Sequence, residues 1–565
     1  MSLKIMRFHF HKFFVFLLLI TASKALLGQE KLEVYENNKL IISESFKDSV
    51  SQSIYLQNVN LKYISKGYIE FKLDTLENRD DFLKLFLYKG PQYNWDKLSL
   101  GKNLQSENFS FSESGKVFNS NSLIDGIDKQ LRFYEDNGYP FARVYFDSLR
   151  ITKERISGKL MSNLGDYFSI DSIVIKGGSK TSKQFILRHI GINKGQTYNE
   201  SLIRKIDSKL QNIPFIEIIR GSEVFFTKGK ATLVLYVKDK SASRFDGILG
   251  INPDENTGKI TVVGDVKVNL LNAFKRGEKV LLNFESIKAN TQNYAFEVDY
   301  PFLFGSRVGL ITSINYFRQD TTFANLNLKG GFSFFLENQQ RISVFANVIQ
   351  SNSLLSQSSN SNEFQSLQTI YLGVIYELTN LDYRLNPRKG WSAQIELNSG
   401  NKTIGSSTGS NDDETNMSSF QIKSDVKASY FIPLFKKSTI KFGVQSGNIF
   451  GETIYDNELY QIGGLNTLRG FNQQSFLVSN YAIVTWEFRY LFDRNSAVFG
   501  FVDASFYEKK SIDEFVTDTP FGFGAGVNFQ TGAGIFTLTY GLGKQLGNPI
   551  LIKNGKVHFG FVSLF

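Results

Sequence analysis

The chain has 565 residues and a formal net charge of +10, and its 42% hydrophobic and 21% charged residues exclude a largely disordered protein. Cysteine is absent, which excludes a disulfide scaffold, cysteine–zinc sites, iron–sulfur clusters, a thiol nucleophile and a lipid-anchored N-terminal cysteine. With only four histidines, catalysis or metal binding through histidine is poorly supported, and we expect no enzyme, no metal site and no cofactor.

The first 28 residues have the pattern of a secretory signal. Lysine and arginine precede an apolar run at 13–20, and small residues follow it. We therefore expect cleavage after Gly28, with Ala25 as the alternative. The run is too short to serve well as a membrane anchor, and no run of about 18 apolar residues follows it. Cleavage removes four positive charges, and the modest charge that remains does not favour a nucleic acid partner.

Residues from about 30 to 240 mix helical and strand periods, and the pattern is clearest in 164–240. It predicts five elements there: a strand at 168–176, helices near 181–190 and at 200–211, and strands at 215–226 and 231–237. Two helices on one face of a small sheet can bury a core of this size. The order resembles that of a POTRA (polypeptide-transport-associated) domain.

Related features occur upstream of this unit. A Gly-Tyr pair at 138–139 follows a helical stretch with one apolar stripe, and a second Gly-Tyr pair at 67–68 lies about 70 residues earlier. We therefore predict a POTRA-like unit at 90–163 and a divergent or partial unit at 29–89.

The strand predicted at 215–226 is expected to form the exposed edge of its sheet. Ile216, Ile218 and Phe225 would then contact an extended client polypeptide that adds to this edge as a further strand. The alternative is that the charged residues of the strand only protect the edge from aggregation, and the sequence leaves both readings open.

From residue 244 to residue 565 the chain shows only the strand period, and its many aromatic residues and glycines favour a large β structure. Ile370, Leu372 and Val374, for example, alternate with less apolar residues. Seven short turns alternate with eight longer polar loops, which predicts a transmembrane β-barrel of about 16 strands, preceded by periplasmic α+β POTRA-like domains. The alternative, a soluble all-β protein, is disfavoured by apolar faces on nearly every strand.

The longest loop, predicted between the eleventh and twelfth strands, contains Arg469, Gly470 and Phe471 after an apolar residue. This motif in the sixth long loop resembles the signature of the outer-membrane barrel-assembly and two-partner-secretion transporters, the bacterial surface antigen family. Phe501 and Asp503 resemble the F-x-D motif of the same family. Its turn motif D-x-R-x-N-P-x-x-G is matched by Asp382, Arg384, Asn386, Pro387 and Gly390, and its first turn and closing strand by 270–278 and 557–565.

The resemblance implies that the long loop folds back into the barrel and that its arginine meets lumenal carboxylates. We carry this over to Arg469 with Asp503 and Glu487, because alternation places both acids on lumenal faces of adjacent strands. Removing one partner of such a buried pair would leave an uncompensated charge, at a cost of about 3–5 kcal/mol. The alternative is that Arg469 is solvated at the loop tip.

Glycines on the first and last predicted strands indicate weak pairing where the barrel closes. Gly247 and Gly250 lie on the first strand, and Gly560 lies on the last, which ends at Phe565. Because glycine lacks a side chain that can pack, we hypothesise that this seam opens as a lateral gate. The alternative is that these glycines only relieve crowding.

The resemblance implies an outer-membrane protein with its N-terminal domains in the periplasm. It would insert β-barrel proteins into the membrane or move polypeptides across it. Its partners would be unfolded outer-membrane or secreted polypeptides, outer-membrane lipids and, as further candidates, accessory lipoproteins. A dedicated secretion pore for one client is the second hypothesis, and a passive outer-membrane channel is the third.

Overall fold

The computed structural model describes residues 30–36, 39–46, 48–79, 82–253, 260–288, 291–336, 340–355, 363–383, 386–405, 417–531, 534–545, 550 and 552–564. The predicted signal at 1–28, Arg384 and Phe565 lie outside the described residues. The chain divides into two compact units. One contains residues up to 173 with 194–205 and 224–233, and the other contains 174–193, 206–223 and 234 onward.

The segment nearest the N-terminus forms a four-stranded sheet with one helix. Its elements are β1 (Glu30–Glu36), β2 (Lys39–Phe46), α1 (Ser49–Ser65), β3 (Lys72–Arg79) and β4 (Phe82–Tyr88). The strand order is β2-β1-β4-β3, with β1 parallel to β4. Leu32, Leu56 and Leu85 are among the residues of its core. One helix and four strands distinguish this sheet from the POTRA order predicted further along the chain.

The next segment contains a three-stranded sheet. Its elements are β5 (Asn94–Leu100), a 3₁₀ helix (Ser106–Ser112), α2 (Ser120–Asp136), β6 (Arg143–Thr152) and β7 (Arg155–Asn163). Asn119 begins α2, since its side chain accepts the backbone N–H groups of Asn121 and Ser122 at 3.0 and 3.1 Å. The strand order is β5-β7-β6, so β6 lies at an edge.

A third sheet has the same order, β8-β10-β9, and the boundary between the two compact units crosses it. Its elements are β8 (Ser169–Lys176), α3 (Lys183–Ile190), α4 (Glu200–Ile203), α5 (Ile206–Gln211), β9 (Ile216–Thr227) and β10 (Lys230–Asp239). The single helix predicted at 200–211 is therefore wrong, because it is divided into two short helices. Gly191 ends α3 in the left-handed conformation.

The rest of the described chain consists mainly of strands. The strands are β11 (Arg244–Pro253), β12 (Ile260–Leu271), β13 (Lys279–Lys288), β14 (Thr291–Tyr300), β15 (Val308–Gln319), β16 (Phe323–Phe335), β17 (Gln340–Ser353), β18 (Leu367–Leu381), β19 (Gly390–Ile404), β20 (Met417–Phe435), β21 (Ser438–Gly451), β22 (Tyr460–Ile462), β23 (Phe476–Val478), β24 (Asn480–Leu491), β25 (Ala497–Lys510), β26 (Phe515–Asp518), β27 (Phe521–Gln530), β28 (Ile535–Lys544) and β29 (Lys556–Leu564). β22 and β23 form a hairpin inside the long loop, and β26 is a short strand beside β25. The other described strands form a nearly closed antiparallel barrel of 16 strands, which confirms the predicted fold.

Alternation along the barrel strands separates an outer apolar face from an inner face. On β18, Leu372 is 70% exposed, whereas its neighbour Tyr371 is buried. On β24, Trp486 and Phe488 are exposed and Glu487, between them, is buried. The exposed apolar side chains recur from strand to strand and form the lipid-facing surface that a transmembrane barrel requires. Separately, none of the described helices is both long and apolar enough to cross a membrane.

Candidate functional site

The long loop connects β21 to β24 and folds against the inner wall of the barrel. The β22–β23 hairpin brings Leu468 and Phe471 into an apolar cluster with Tyr481 and Ile483 of β24. The backbone approaches the wall very closely: a Cβ atom on Gly522 of β27 would lie 1.8 Å from the carbonyl oxygen of Arg469. Only glycine in the wall leaves room for the loop at this point.

Arg469 lies between the two carboxylates predicted as its partners. Its Nε and Nη2 each donate to an oxygen of Asp503 at 2.7 Å, and its Nη1 donates to Glu487 Oε2 at 2.5 Å. Its guanidinium also stacks on the Phe501 ring, 3.6 Å from the ring centre. Asp503 is completely buried and accepts a further hydrogen bond from Thr485 Oγ1 at 2.9 Å. We call Arg469, Glu487 and Asp503 the tip lock, since they fix the tip of the loop to β24 and β25 by a charge-assisted, two-pronged contact.

The turn motif before β19 is connected to the tip lock by one further arginine. Arg489 Nε donates to Glu487 Oε1 at 2.6 Å, and its Nη1 donates to Asn386 Oδ1 at 3.1 Å. Asn386 in turn donates to the carbonyl of Arg494 at 3.2 Å. Alternation along β24 puts Arg489 on the same face as Glu487, but it reveals only the face of a residue and not its partner.

Other residues of the turn motif shape the turn itself. Asp382 Oδ1 accepts the backbone N–H groups of Arg388 and Lys389 at 3.0 and 3.1 Å. Gly390 has φ of +113°, and a Cβ there would lie 1.9 Å from the carbonyl oxygen of Asn380. Pro387 lies in the same turn, between Asn386 and Arg388. Among the described residues of the motif, Asn386 therefore contacts Arg489, whereas Asp382 and Gly390 shape the backbone of the turn.

Comparison with protein families identifies this architecture. The model of the Omp85 superfamily domain matches residues 272–561, which is more than half of the chain. The chain belongs to the Omp85 superfamily. A second family model, the surface antigen variable number repeat or POTRA, matches residues 168–239. Omp85 proteins are transport and assembly proteins, and the family places the barrel in the outer membrane with its POTRA repeats in the periplasm.

Two solved structures of CdiB agree on the fold. CdiB from Acinetobacter baumannii is 14% identical with a TM-score of 0.52, covering 92% of this chain and 100% of its own. CdiB from Escherichia coli is also 14% identical with a TM-score of 0.52, covering 91% and 97%. BamA from Haemophilus ducreyi lacking POTRA domains 1–3 is 14% identical with a TM-score of 0.45, covering 84% and 100%. No curated protein matches the chain in sequence.

In this Omp85 protein, Asp239 at the end of β10 joins the segment before α3 to the first barrel turn. Ser179 Oγ and Thr181 Oγ1 donate to its carboxylate at 2.5 and 2.9 Å, and Lys275 Nζ lies 3.6 Å away. Asn272 Nδ2 donates to Thr181 Oγ1 at 2.8 Å. Burial raises the pKa of the Asp239 carboxyl. These hydrogen bonds and the charge of Lys275 together lower that pKa by more than burial raises it, so the pKa lies below its ordinary value.

The predicted client-binding edge is only partly available at the surface. β9 is the edge strand of its sheet, and Phe225 is 53% exposed. Ile216, however, is 2% exposed, so its inclusion in the client-facing set was wrong, because its side chain packs inward where the strand begins. Ile218 is half-buried, and Ile219, which the sequence did not single out, is 52% exposed.

The seam of the Omp85 barrel lies between β11 and β29. Among the described residues these strands pair at Arg244–Leu564 and Phe245–Ser563, near one end. By contrast, β11 pairs with β12 along its whole length, and β29 pairs with β28 from Lys556 to Val562. The predicted seam glycines face these complete junctions: Gly247 and Gly250 pair with β12, and Gly560 pairs with β28.

Within the described ranges, no three histidine, aspartate or glutamate side chains are grouped so that they could hold a metal ion. The Arg469 guanidinium donates its hydrogen bonds to Glu487 and Asp503. The same two carboxylates also accept hydrogen bonds from Arg489 and Thr485. The chemistry of this site is therefore that of holding a loop in place.

Proposed function

We propose that this Omp85 protein receives unfolded β clients through its periplasmic units and inserts them into the outer membrane at the barrel seam. The observation that carries the proposal is the short pairing between β11 and β29, beside junctions that are paired along their lengths. Unpaired N–H and C=O groups at a strand edge are a template for another strand, and in lipid each unsatisfied group costs several kcal/mol. A client strand that adds there satisfies those groups, and burial of its apolar face in lipid supplies the driving force without ATP.

In this proposal three N-terminal units collect clients: POTRA units at 164–240 and 90–163, and a divergent unit at 29–89. The family match to 168–239 supports the unit nearest the barrel. The identical strand orders β5-β7-β6 and β8-β10-β9 support the middle unit. In each sheet one of the two edge strands, β6 or β9, is the edge at which an extended client would pair. Outer-membrane lipids and, in addition, accessory lipoproteins are the other proposed partners.

A dedicated secretion pore, which passes one client through the lumen, is the second candidate. The observation that favours it is the short periplasmic region, in which the POTRA model matches the single-repeat length of residues 168–239. In this case the long loop would have to leave the lumen during passage, because its tip is fixed to the inner wall at Arg469.

The deciding experiment is depletion of the protein, followed by quantitative proteomics of the outer membrane and the medium. Loss of many barrel proteins from the membrane supports insertion at the seam. Loss of a single secreted or surface protein supports the dedicated pore. Unchanged fractions would contradict both and favour a passive channel.

A seam crosslink tests the route directly. Phe245→Cys with Ser563→Cys places two cysteines at paired positions, in a chain that contains no other cysteine. Oxidation should stop client assembly and reduction should restore it. The matched control is Leu538→Cys with Phe559→Cys, across the completely paired β28–β29 junction, where oxidation should have no effect. Equal activity of the oxidised seam pair and the oxidised control would contradict insertion at the seam.

A further inference from the structure

The first half of the long loop makes a second attachment to the barrel, separate from the tip lock. A 3₁₀ turn, Asp456–Glu458, lies between β21 and β22, and its residues are buried although they are charged or polar. Lys402 of β19 is completely buried, and its ammonium contacts both oxygens of Glu458, at 2.9 and 3.2 Å. Lys402 also donates to the carbonyl of Thr453, and Gln421 Nε2 of β20 donates to Glu458 Oε1 at 3.1 Å.

The two residues that precede Glu458 in the turn, Asn457 and Asp456, contact other strands. Asn457 Nδ2 donates to Ser351 Oγ of β17 at 2.5 Å, and Asn325 of β16 donates to the Asn457 carbonyl at 2.8 Å. Asp456 pairs with Lys509 of β25, whose ammonium lies 2.9 Å from its carboxylate. Three consecutive residues of the loop therefore contact five different strands of the wall.

These contacts place the turn across the mouth of the barrel on its long-loop side. Asn325 follows the start of β16, Ser351 precedes the end of β17, and Lys402 precedes the end of β19, all beside long loops. β16 and β17 are not neighbours of β25 in the wall, where β18 to β21 and β24 lie between them. A turn that contacts both groups of strands must lie within the mouth rather than along one strand.

We propose that Asp456, Asn457 and Glu458, with Lys402 as the principal wall residue, form a closure of the long-loop mouth, which we call the mouth clasp. The mouth clasp opens independently of the tip lock, because the two attachments share no residue and Lys402, on β19, lies on neither of the strands that hold Arg469. The proposal rests on the proposed function and deepens it: a client that enters at the seam leaves the mouth clasp shut, and a client that crosses the lumen must open it.

The test uses the purified full-length protein in planar lipid bilayers. Lys402→Met leaves the buried Glu458 carboxylate without its cation, so the mouth clasp should open and the frequency of large conductance steps should rise at least about tenfold. Glu458→Gln, which keeps the shape of the side chain, should give a smaller rise of the same kind. The matched control is Lys329→Met, which removes another lumenal lysine whose partner, Glu396 at 2.7 Å, belongs to the wall and not to the loop.

A rescue completes the test. Ser351→Cys and Asn457→Cys, joined by a short bifunctional thiol reagent in the Lys402→Met protein, should return the conductance to the wild-type level. Wild-type conductance of both Lys402→Met and Glu458→Gln, in barrels that retain their heat-modifiable gel mobility, would overturn the proposal. An equal rise in Lys329→Met would overturn it too. Conductance requires no client, so these results judge the mouth clasp separately from assembly, which the depletion experiment judges.

Discussion

Replacing Arg469 by methionine should release the tip of the long loop from the barrel wall. The substitution keeps an apolar stem of similar length. Among the described residues it leaves Asp503, which is completely buried, with only the Thr485 hydroxyl as a side-chain donor. Breaking a buried ion pair in this way costs about 3–5 kcal/mol. At about 1.4 kcal/mol for each factor of ten, undocking of the tip should become at least roughly a hundredfold more frequent.

The assay uses Leu468→Cys as a reporter, because Leu468 belongs to the loop and is completely buried against the barrel wall, and the chain has no cysteine of its own. Maleimide labelling of this thiol reports each undocking event. Arg469→Lys should label at an intermediate rate, since lysine keeps the charge but cannot make the two-pronged contact with Asp503. Arg318→Met, the same substitution outside the loop, should label like the parent. A folded Arg469→Met barrel that labels no faster than the parent would refute the tip lock.

Three further outcomes are expected. Arg489→Met removes one of the two arginines that contact Glu487, and losing a hydrogen bond to a charged group costs about 1.5–3 kcal/mol. Labelling of the same reporter should therefore rise by a smaller factor than in Arg469→Met. Unchanged labelling would contradict the idea that Arg489 positions Glu487. Gly522→Ala should reduce client assembly because its Cβ would collide with the loop backbone, whereas Gly500→Ala, with 3.9 Å to its nearest neighbour, should be neutral in the same assay. Asp239 has a lowered pKa, so its stabilisation is present above the unfolded-state value of about 3.9 and is lost as pH falls through the folded value. Proteolysis of the junction should rise at low pH in the parent but not in Asp239→Asn, and equal pH profiles would contradict this.

The barrel could be predicted from the sequence because its physical signal is local and repeated. Successive residues of each strand face lipid and lumen in turn, so the sequence position of Leu372 predicts the lipid face and that of its neighbour Tyr371 predicts the lumenal face. The exposed Leu372 and the buried Tyr371 agree with this. The partners of Arg469 were predicted from the resemblance to the family, which implied that the loop arginine meets lumenal carboxylates. Alternation on two adjacent strands then indicated Glu487 and Asp503 as those carboxylates.

The remaining features depend on long-range contacts, which the helical and strand periodicity of the sequence does not reveal. Asp456 and Glu458 lie in a loop without periodicity, and their partners Lys509 and Lys402 are about 50 residues away on different strands. The inward packing of Ile216 depends on where its strand begins, and strand ends are the least certain part of a pattern. Such features follow from the assembled barrel and its sheets, and only the three-dimensional arrangement reveals them.

The tip lock and the seam are connected through the last strands of the barrel. A Cβ on Gly541 of β28 would lie 2.9 Å from the backbone nitrogen of Gly470, and one on Gly543 would lie 2.6 Å from the Phe471 ring. The loop tip therefore packs directly against β28, the strand that holds β29 at the seam. Among the described residues β29 pairs with β11 at only two positions, so we expect the docked loop to stabilise β28 and, through it, β29. Releasing Arg469 should then loosen β28 and β29 together while the remaining strands stay paired.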